Sequence, residues 1–424
     1  MLTPGARRRR RREPIIAVSV LVAVGIAVAL VILLSSGDSP HTKKPTPVVH
    51  HKPPPRKRVT DTFVWPFYGY SSARTRFLAA SRRFGPPLRR GWHYNDFALL
   101  EFPPVMYHDD LFFIDYTGLA RAVDKRNGHR IWRRKVGTLA AVTPAVDSAD
   151  KLVLIPLLST TPGARLPGHG RFVALSMKTG RVVWSRSIPA GSESSPVVHR
   201  GSVFLGAADG SVYSFKAKNG HLKWTFHAGG AVKGGVAYSG GEIFFGDYGG
   251  RVYAVNAATG REIWSTAAGG GNFYGSPAVA FGRIFVGSTD GHVYALSKTG
   301  RLRWSAGTGA YVYSSPAAAN VRGLGPTVFT GSYDGNFYAL NANSGRVRWR
   351  HASGGPVSGS GTIIGHVVYY SVIHVRNTIG LDTRTGRQVF FFPDGAFAAA
   401  IADHRAIYLI GASTIYQMLP KRSR

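Results

Sequence analysis

The sequence predicts an all-β fold: an eight-bladed β-propeller of four-stranded antiparallel blades, preceded by one transmembrane helix and a Pro/Lys-rich linker. Three observations predict it. Aromatic residues recur on a period near 40, a glycine stands at a fixed offset before them, and hairpin turn pairs fall regularly in between. Trp92, Trp132, Trp184, Trp224, Trp264, Trp304 and Trp349 are separated by 40, 52, 40, 40, 40 and 45 residues, and Phe390 lies 41 beyond the last. From the second position on, each is preceded four residues earlier by glycine: Gly128, Gly180, Gly220, Gly260, Gly300, Gly345 and Gly386. Chance does not hold that register seven times, so one supersecondary unit is being repeated.

The N-terminal elements are read from charge and hydropathy. Residues 7–12 are six consecutive arginines inside a basic tail, 1–14, expected in the cytoplasm. Residues 15–34 are uncharged and almost all aliphatic, and twenty helical residues at ~1.5 Å each match a hydrocarbon core of roughly 30 Å. Basic residues stay on the cytoplasmic side, so the rest of the chain is expected outside the cytoplasmic membrane, periplasmic or extracellular. The run exceeds the about 7–15 apolar residues of a cleaved signal peptide, which favours a retained single-pass anchor. No cysteine follows it, which excludes lipoprotein processing. Residues 35–62 hold six prolines among lysines and arginines and read as an extended stalk; the adjacent His50 and His51 lack a third ligand nearby and read as solvated linker.

The propeller is expected over 63–420, with a basic tail at 421–424. One unit shows its physics. Arg283 to Ser288 is β-branched and aromatic, Asp290-Gly291 turns, His292 to Leu296 alternates, and Thr299-Gly300 turns again before Arg301 to Ser305. The Asp-Gly and Thr-Gly pairs suit the positive φ that tight hairpins require. Four short strands bury too little alone, so successive units must stack around an axis. After Phe390 there is room for only three strands: residues 398–402, 406–411 and 414–419. Leu88 to Leu99, which contains Trp92 and has no unit of its own, is therefore expected to supply the missing fourth strand and close the ring without an open edge.

Composition narrows the function. The net charge is +32, but residues 1–90 carry +15 of it and the remaining +17 is spread through Gly-rich, aromatic sequence, so no nucleic-acid partner is expected. With no cysteine, thiol catalysis, iron–sulfur ligation and disulfides are excluded.

The units DGHVYALSKTGRLRW, GGRVYAVNAATGREIW and DGNFYALNANSGRVRW resemble the pyrroloquinoline-quinone (PQQ) type β-propeller repeat, shared by quinoprotein dehydrogenases and the outer-membrane assembly lipoprotein BamB. The approach segment Trp65-Pro66-Phe67-Tyr68-Gly69, followed by Ala73-Arg74-Thr75, is similar to the opening stretch of such chains. The resemblance implies that the seven tryptophans dock neighbouring blades through their indole N–H groups. It also implies that an enzyme of the family would hold PQQ with a vicinal disulfide, a calcium site and a catalytic aspartate. This chain has no disulfide and no evident cluster of acids, so no cofactor, no metal and no catalytic residue is assigned, with PQQ the single cofactor kept in view.

The segments entering each innermost strand line one mouth of the channel. They offer Glu193, Lys233, Asn272, Tyr274, Tyr311, Tyr313 and Ser358 as ligand-binding candidates, with Glu193 the only acid and Lys233 the only base. A second surface is the basic stretch Arg126, Arg130, Arg133, Arg134 and Lys135, suited to an anionic envelope polymer or lipid headgroups. The expected function is a membrane-anchored, non-catalytic protein-binding or scaffold module of the cell envelope, with an envelope protein as partner. The competing expectations are a cofactor-dependent oxidoreductase and a sugar or wall-fragment sensor.

Overall fold

The computed structural model describes residues 61–81, 84–160, 169–398 and 400–421. The expected transmembrane segment, nearly all of the linker and the His50–His51 pair lie outside the described residues. Among the described residues no helix is long and apolar enough to cross a membrane.

Eight antiparallel blades stand among the described residues, at 105–135, 145–188, 197–227, 237–267, 278–307, 317–352, 362–392 and 401–420. In the fifth the strands are Ala278–Ala280, Arg283–Gly287, His292–Ser297 and Leu302–Gly307, running from the axis outward. Burial follows that order. The second strand is almost entirely buried, while the outermost alternates, with Trp304 inward and Leu302 and Arg303 outward. The 52-residue interval arises in the second blade, where a long connection separates Leu152–Leu157 from Gly170–Ser176.

Leu88–Asn95 closes the ring as the sequence predicts. It pairs antiparallel with Thr414–Pro420, Leu88 opposite Pro420 and Asn95 opposite Thr414, as the outermost strand of the eighth blade. Charged groups clamp this seam. Lys125 Nζ sits 2.8 Å from Asp61 and 2.7 Å from Asp403, and Arg121 reaches Asp96 at 2.6 Å and Asp115 at 2.9 Å.

Every seam but one repeats a single device. The indole N–H of each tryptophan donates to a backbone carbonyl of the next blade: Trp92 to Lys125 at 2.8 Å, Trp132 to Met177 at 2.7 Å, Trp184 to Ala217 at 2.8 Å, Trp224 to Ala257 at 3.1 Å, Trp264 to Lys298 at 2.8 Å, Trp304 to Ala342 at 3.0 Å and Trp349 to Thr383 at 3.1 Å. The same ring lies against the glycine in the third hairpin of that next blade; a Cβ on Gly220 would stand 2.6 Å from the Trp184 ring. The glycine four residues before one tryptophan therefore seats the tryptophan of the preceding blade. The eighth seam explains Phe390. The third and fourth strands of the last blade come from opposite ends of the chain, so no hairpin exists there to offer a glycine seat, and Phe390 packs edge-on to Tyr369 instead. Where that turn would lie, Lys421 N–H donates to the Pro87 carbonyl at 3.0 Å.

The approach segment departs from a simple four-stranded pattern. Val64–Trp65 adds a fifth, innermost strand to the first blade and Phe77–Leu78 adds one, in parallel, to the seventh. Between them the chain is a strap along the channel. Its carbonyls at Pro66, Ser72, Ala73, Thr75 and Arg76 accept the N–H groups of Val146, Tyr238, Val279, Ala318 and Ile363, in the second, fourth, fifth, sixth and seventh blades. The fully buried Arg74 donates to the carbonyls of Val236 (2.9 Å), Tyr68 (2.5 Å) and Ser195 (2.6 Å), so backbone oxygens rather than a carboxylate hold this cation. Burial, then Arg76, depresses it to about 9.

If the glycine seats the indole, the cost of adding a methyl group is graded. Gly201→Ala, at φ +73 with nothing within 4 Å, carries only the left-handed backbone cost of about 1–2 kcal/mol. Gly220→Ala, at φ +67, adds the collision with Trp184 and is expected to lose about 1–3 kcal/mol more in denaturant unfolding. Equal losses in the two variants would remove the seat.

Candidate functional site

The repeat that builds the blades also builds one mouth of the channel. Each blade contributes the residue four positions before the first strand of its own repeat. In order around the ring these are Glu101, Ala141, Glu193, Lys233, Tyr274, Tyr313, Ser358 and Phe397, preceding Val105, Ala145, Val197, Ala237, Ala278, Ala317, Thr362 and Ile401. Hydroxyls of neighbouring segments tie the ring together. Thr143 N–H donates to Ser195 Oγ at 3.0 Å, Ser276 N–H to Ser315 Oγ at 2.9 Å and Ser315 N–H to Ser360 Oγ at 2.8 Å. Tyr68 of the strap forms the floor, with its hydroxyl 3.0 Å from Ser360 Oγ and the Arg76 guanidinium 3.8 Å from its ring centre.

These residues enclose a cavity of about 60 Å³, lined by all of the ring positions except Ala141. That is room for roughly four waters at ~15 Å³ each. Ala141 lies instead in a small apolar cluster with Leu139 and Leu158, against which Phe102 packs. The sequence-predicted pair forms: Lys233 Nζ lies 3.1 Å from Glu193 Oε1. The Tyr274 hydroxyl donates to Glu193 Oε2 at 3.1 Å, and Lys233 Nζ also sits 5.1 Å from the Tyr248 ring centre. Burial first, then the Glu193 charge, pushes the Tyr274 hydroxyl well above the usual tyrosine range, which keeps it a donor.

Three expectations about the mouth change. Asn272 does not line the cavity; its backbone is tied to the next blade, the N–H donating to Thr289 Oγ1 at 2.7 Å and the carbonyl accepting Thr289 N–H at 3.0 Å. Tyr311 is 53% exposed and stands outside the cavity, edge-on to Tyr313 at 5.9 Å. Glu193 is not the only acid: Glu101 enters from the segment before the first blade. Its carboxyl is pushed up to about 7, by burial first and then by the Glu193 charge. Glu101 and Phe397 escape a reading based on complete units because they flank the seam where the chain ends meet. Their signal is the offset itself, since Glu101 precedes Val105 as Glu193 precedes Val197.

The basic stretch is largely consumed by structure. Arg126 pairs with Asp124 and with Asp109 at 3.3 Å, Arg134 Nε donates to the Gly180 carbonyl at 3.1 Å, and Lys135 Nζ to the Thr117 carbonyl at 2.6 Å. Arg130 and Arg133 remain exposed on the outermost strand.

PQQ does not fit these residues. A fused three-ring quinone is far larger than the cavity, and the described residues contain no group of three or more His, Cys, Asp or Glu able to hold a metal beside it.

Tandem four-stranded blades, indole-to-carbonyl seams and a mouth built by one repeated offset define a PQQ-type β-propeller. Residues 116–233 and 224–416 match the family described as outer membrane protein assembly factor BamB, and the chain belongs to that family. Against curated proteins the chain shows no match. Among solved structures it is similar to BamB from Moraxella catarrhalis, at 15% identity and a TM-score of 0.64 over 78% of this chain and 99% of that one. It is also similar to the quinohemoprotein alcohol dehydrogenase from Comamonas testosteroni, at 15% identity and a TM-score of 0.67 over 85% of this chain and 81% of that one. The computationally designed Ika8 protein superposes at a TM-score of 0.60 and 15% identity, over 77% of this chain and all of its own. At such identities the likeness to these structures is one of fold.

The raised Glu101 carboxyl gives the folded state a pH dependence. Between the ordinary carboxyl value of 4.5 and about 7 the folded chain holds a proton that the unfolded chain releases, so stability is lost as pH rises through that window. From pH 5 to pH 8 the loss attributable to Glu101 is about 2–3 kcal/mol. Unfolding at both pH values is expected to show Glu101→Gln losing less stability than the wild type by that amount.

Proposed function

We propose that this chain is a single-pass, membrane-anchored, extracytoplasmic propeller that serves as a non-catalytic protein-binding scaffold of the cell envelope. The observation that carries the reading is the mouth. A ring whose ends are clamped together presents unlike side chains from seven of its eight blades around a cavity too small for the family's quinone. Such a ring of charged, aromatic and hydroxyl groups on rigid strands suits recognition of a protruding group of a partner. The BamB family membership supports a protein partner. The N-terminal arginines and apolar run support placing the propeller outside the cytoplasm, on a stalk, although a spanning anchor differs from the lipid anchor of BamB and outer-membrane assembly itself is not carried over. The rim supports a second, weaker contact with an anionic envelope polymer: its eight outermost strands hold eleven Lys and Arg against one acid, Glu262.

Glycan sensing is the second reading, favoured by the half-exposed Tyr311 beside Tyr313 and Tyr333, whose faces suit a sugar ring. The two readings separate by crosslinking. A photoreactive residue replacing Tyr311 is expected to trap one envelope protein of defined mass in cells, whereas the same residue replacing Leu222 on the outer edge traps none. Capture of glycan alone, or no capture at Tyr311, overturns the scaffold reading.

A further inference from the structure

The gap at Ala141 sets two carboxylates on either side of a missing side chain. Glu101 and Glu193 belong to the first and third blades, and between them the ring carries only the methyl group of Ala141. Glu193 is satisfied by Lys233 and Tyr274. No hydrogen bond or ion pair holds the Glu101 carboxylate among the described residues, although it lines the cavity and its residue is half-buried. A partly desolvated carboxylate without a partner is disfavoured in its charged form, and an opposite charge within about 4–6 Å would relieve it. The same mouth already shows how it receives a cation. The Lys233 ammonium lies between the Glu193 carboxylate at 3.1 Å and the Tyr248 ring face at 5.1 Å, which combines an ion pair with a cation–π contact.

We propose that the mouth receives one further cationic group, the ammonium or guanidinium of a lysine or arginine side chain on the partner polypeptide, with Glu101 as its counter-ion. The inference rests on the protein-binding reading above. Charge complementarity selects the occupant. The charged groups facing the cavity are Glu101, Glu193 and Lys233, so ionised Glu101 leaves the mouth with a net negative charge on a propeller that is otherwise basic. Tyr68 also lines the cavity, and the Arg76 guanidinium stacks 3.8 Å from its ring centre. Size selects it as well. A cavity of about 60 Å³ admits the head of one side chain and excludes a nucleotide or a sugar ring.

The test uses the full chain in detergent with n-butylguanidinium and n-butylammonium as probes and n-pentanol as the neutral control. Calorimetric titration at pH 8 is expected to show saturable binding of both cations and none of the alcohol. Binding should be about tenfold weaker at pH 6, because a carboxyl titrating near 7 is then ionised in only about a tenth of the molecules. Glu101→Gln is expected to weaken binding at least tenfold and to abolish its pH dependence, while Lys233→Met, by releasing Glu193, strengthens it. No saturable binding at pH 8, equal binding of pentanol, or undiminished binding by Glu101→Gln overturns the proposal. The crosslink at Tyr311, repeated in Glu101→Gln, separates this failure from failure of the scaffold reading. A crosslink retained at full yield in the variant leaves a scaffold without a cation site. Saturable amine binding in a chain that crosslinks no protein leaves the cation site and removes the scaffold.

Discussion

One contact governs this ring: the indole of one blade resting on a bare glycine of the next while its N–H reaches a carbonyl across the seam. The contact needs two residues that lie in neighbouring units, so it fixes the angle and the spacing between blades together. Glycine is required because the ring occupies the space a Cβ would take, and the N–H must be satisfied because it is buried at the seam. Repeated seven times, this pair makes the outer part of every blade alike, and the remaining freedom of the sequence is pushed to the loops at the axis.

That division of labour explains the mouth. Because each unit arrives at the axis in the same register, the residue four before the first strand of its repeat lands at the mouth in every blade but the second, where Ala141 joins a neighbouring apolar cluster. A change from Ser358 to Tyr313 to Lys233 alters what the circle presents without touching a seam. The unlike charges of Glu193 and Lys233 stand on adjacent blades and satisfy each other, whereas Glu101 is separated from them by the short Ala141. The chemistry of the site is thus written in eight positions spaced through nearly the whole propeller.

The fold was legible in the sequence because its determinants are periodic. The blade count, the four-strand unit and the closure by Leu88–Asn95 all follow from counting tryptophans and strands. The seating role of the glycines was not legible, since a glycine before a strand is equally well explained by its own turn, and only the packing shows the ring from the preceding unit above it. Lys233 and Glu193 were found because both lie in complete units; Glu101 was missed because no unit precedes it. The strap was out of reach for a different reason. Arg74 in a mildly polar opening segment looks like a surface residue, and its burial among carbonyls depends on strands more than a hundred residues away.

The strap also decides how the molecule bears load. A pull arriving along the chain from before Asp61 meets the Lys125 ion pairs first, and Lys125 is held at once by the first blade and, through Asp403, by the last. Beyond them the tension passes into strap hydrogen bonds distributed over blades around the axis. The force is therefore taken in shear at the hub, while the outermost strands, which would otherwise unzip one bond at a time, carry none of it directly.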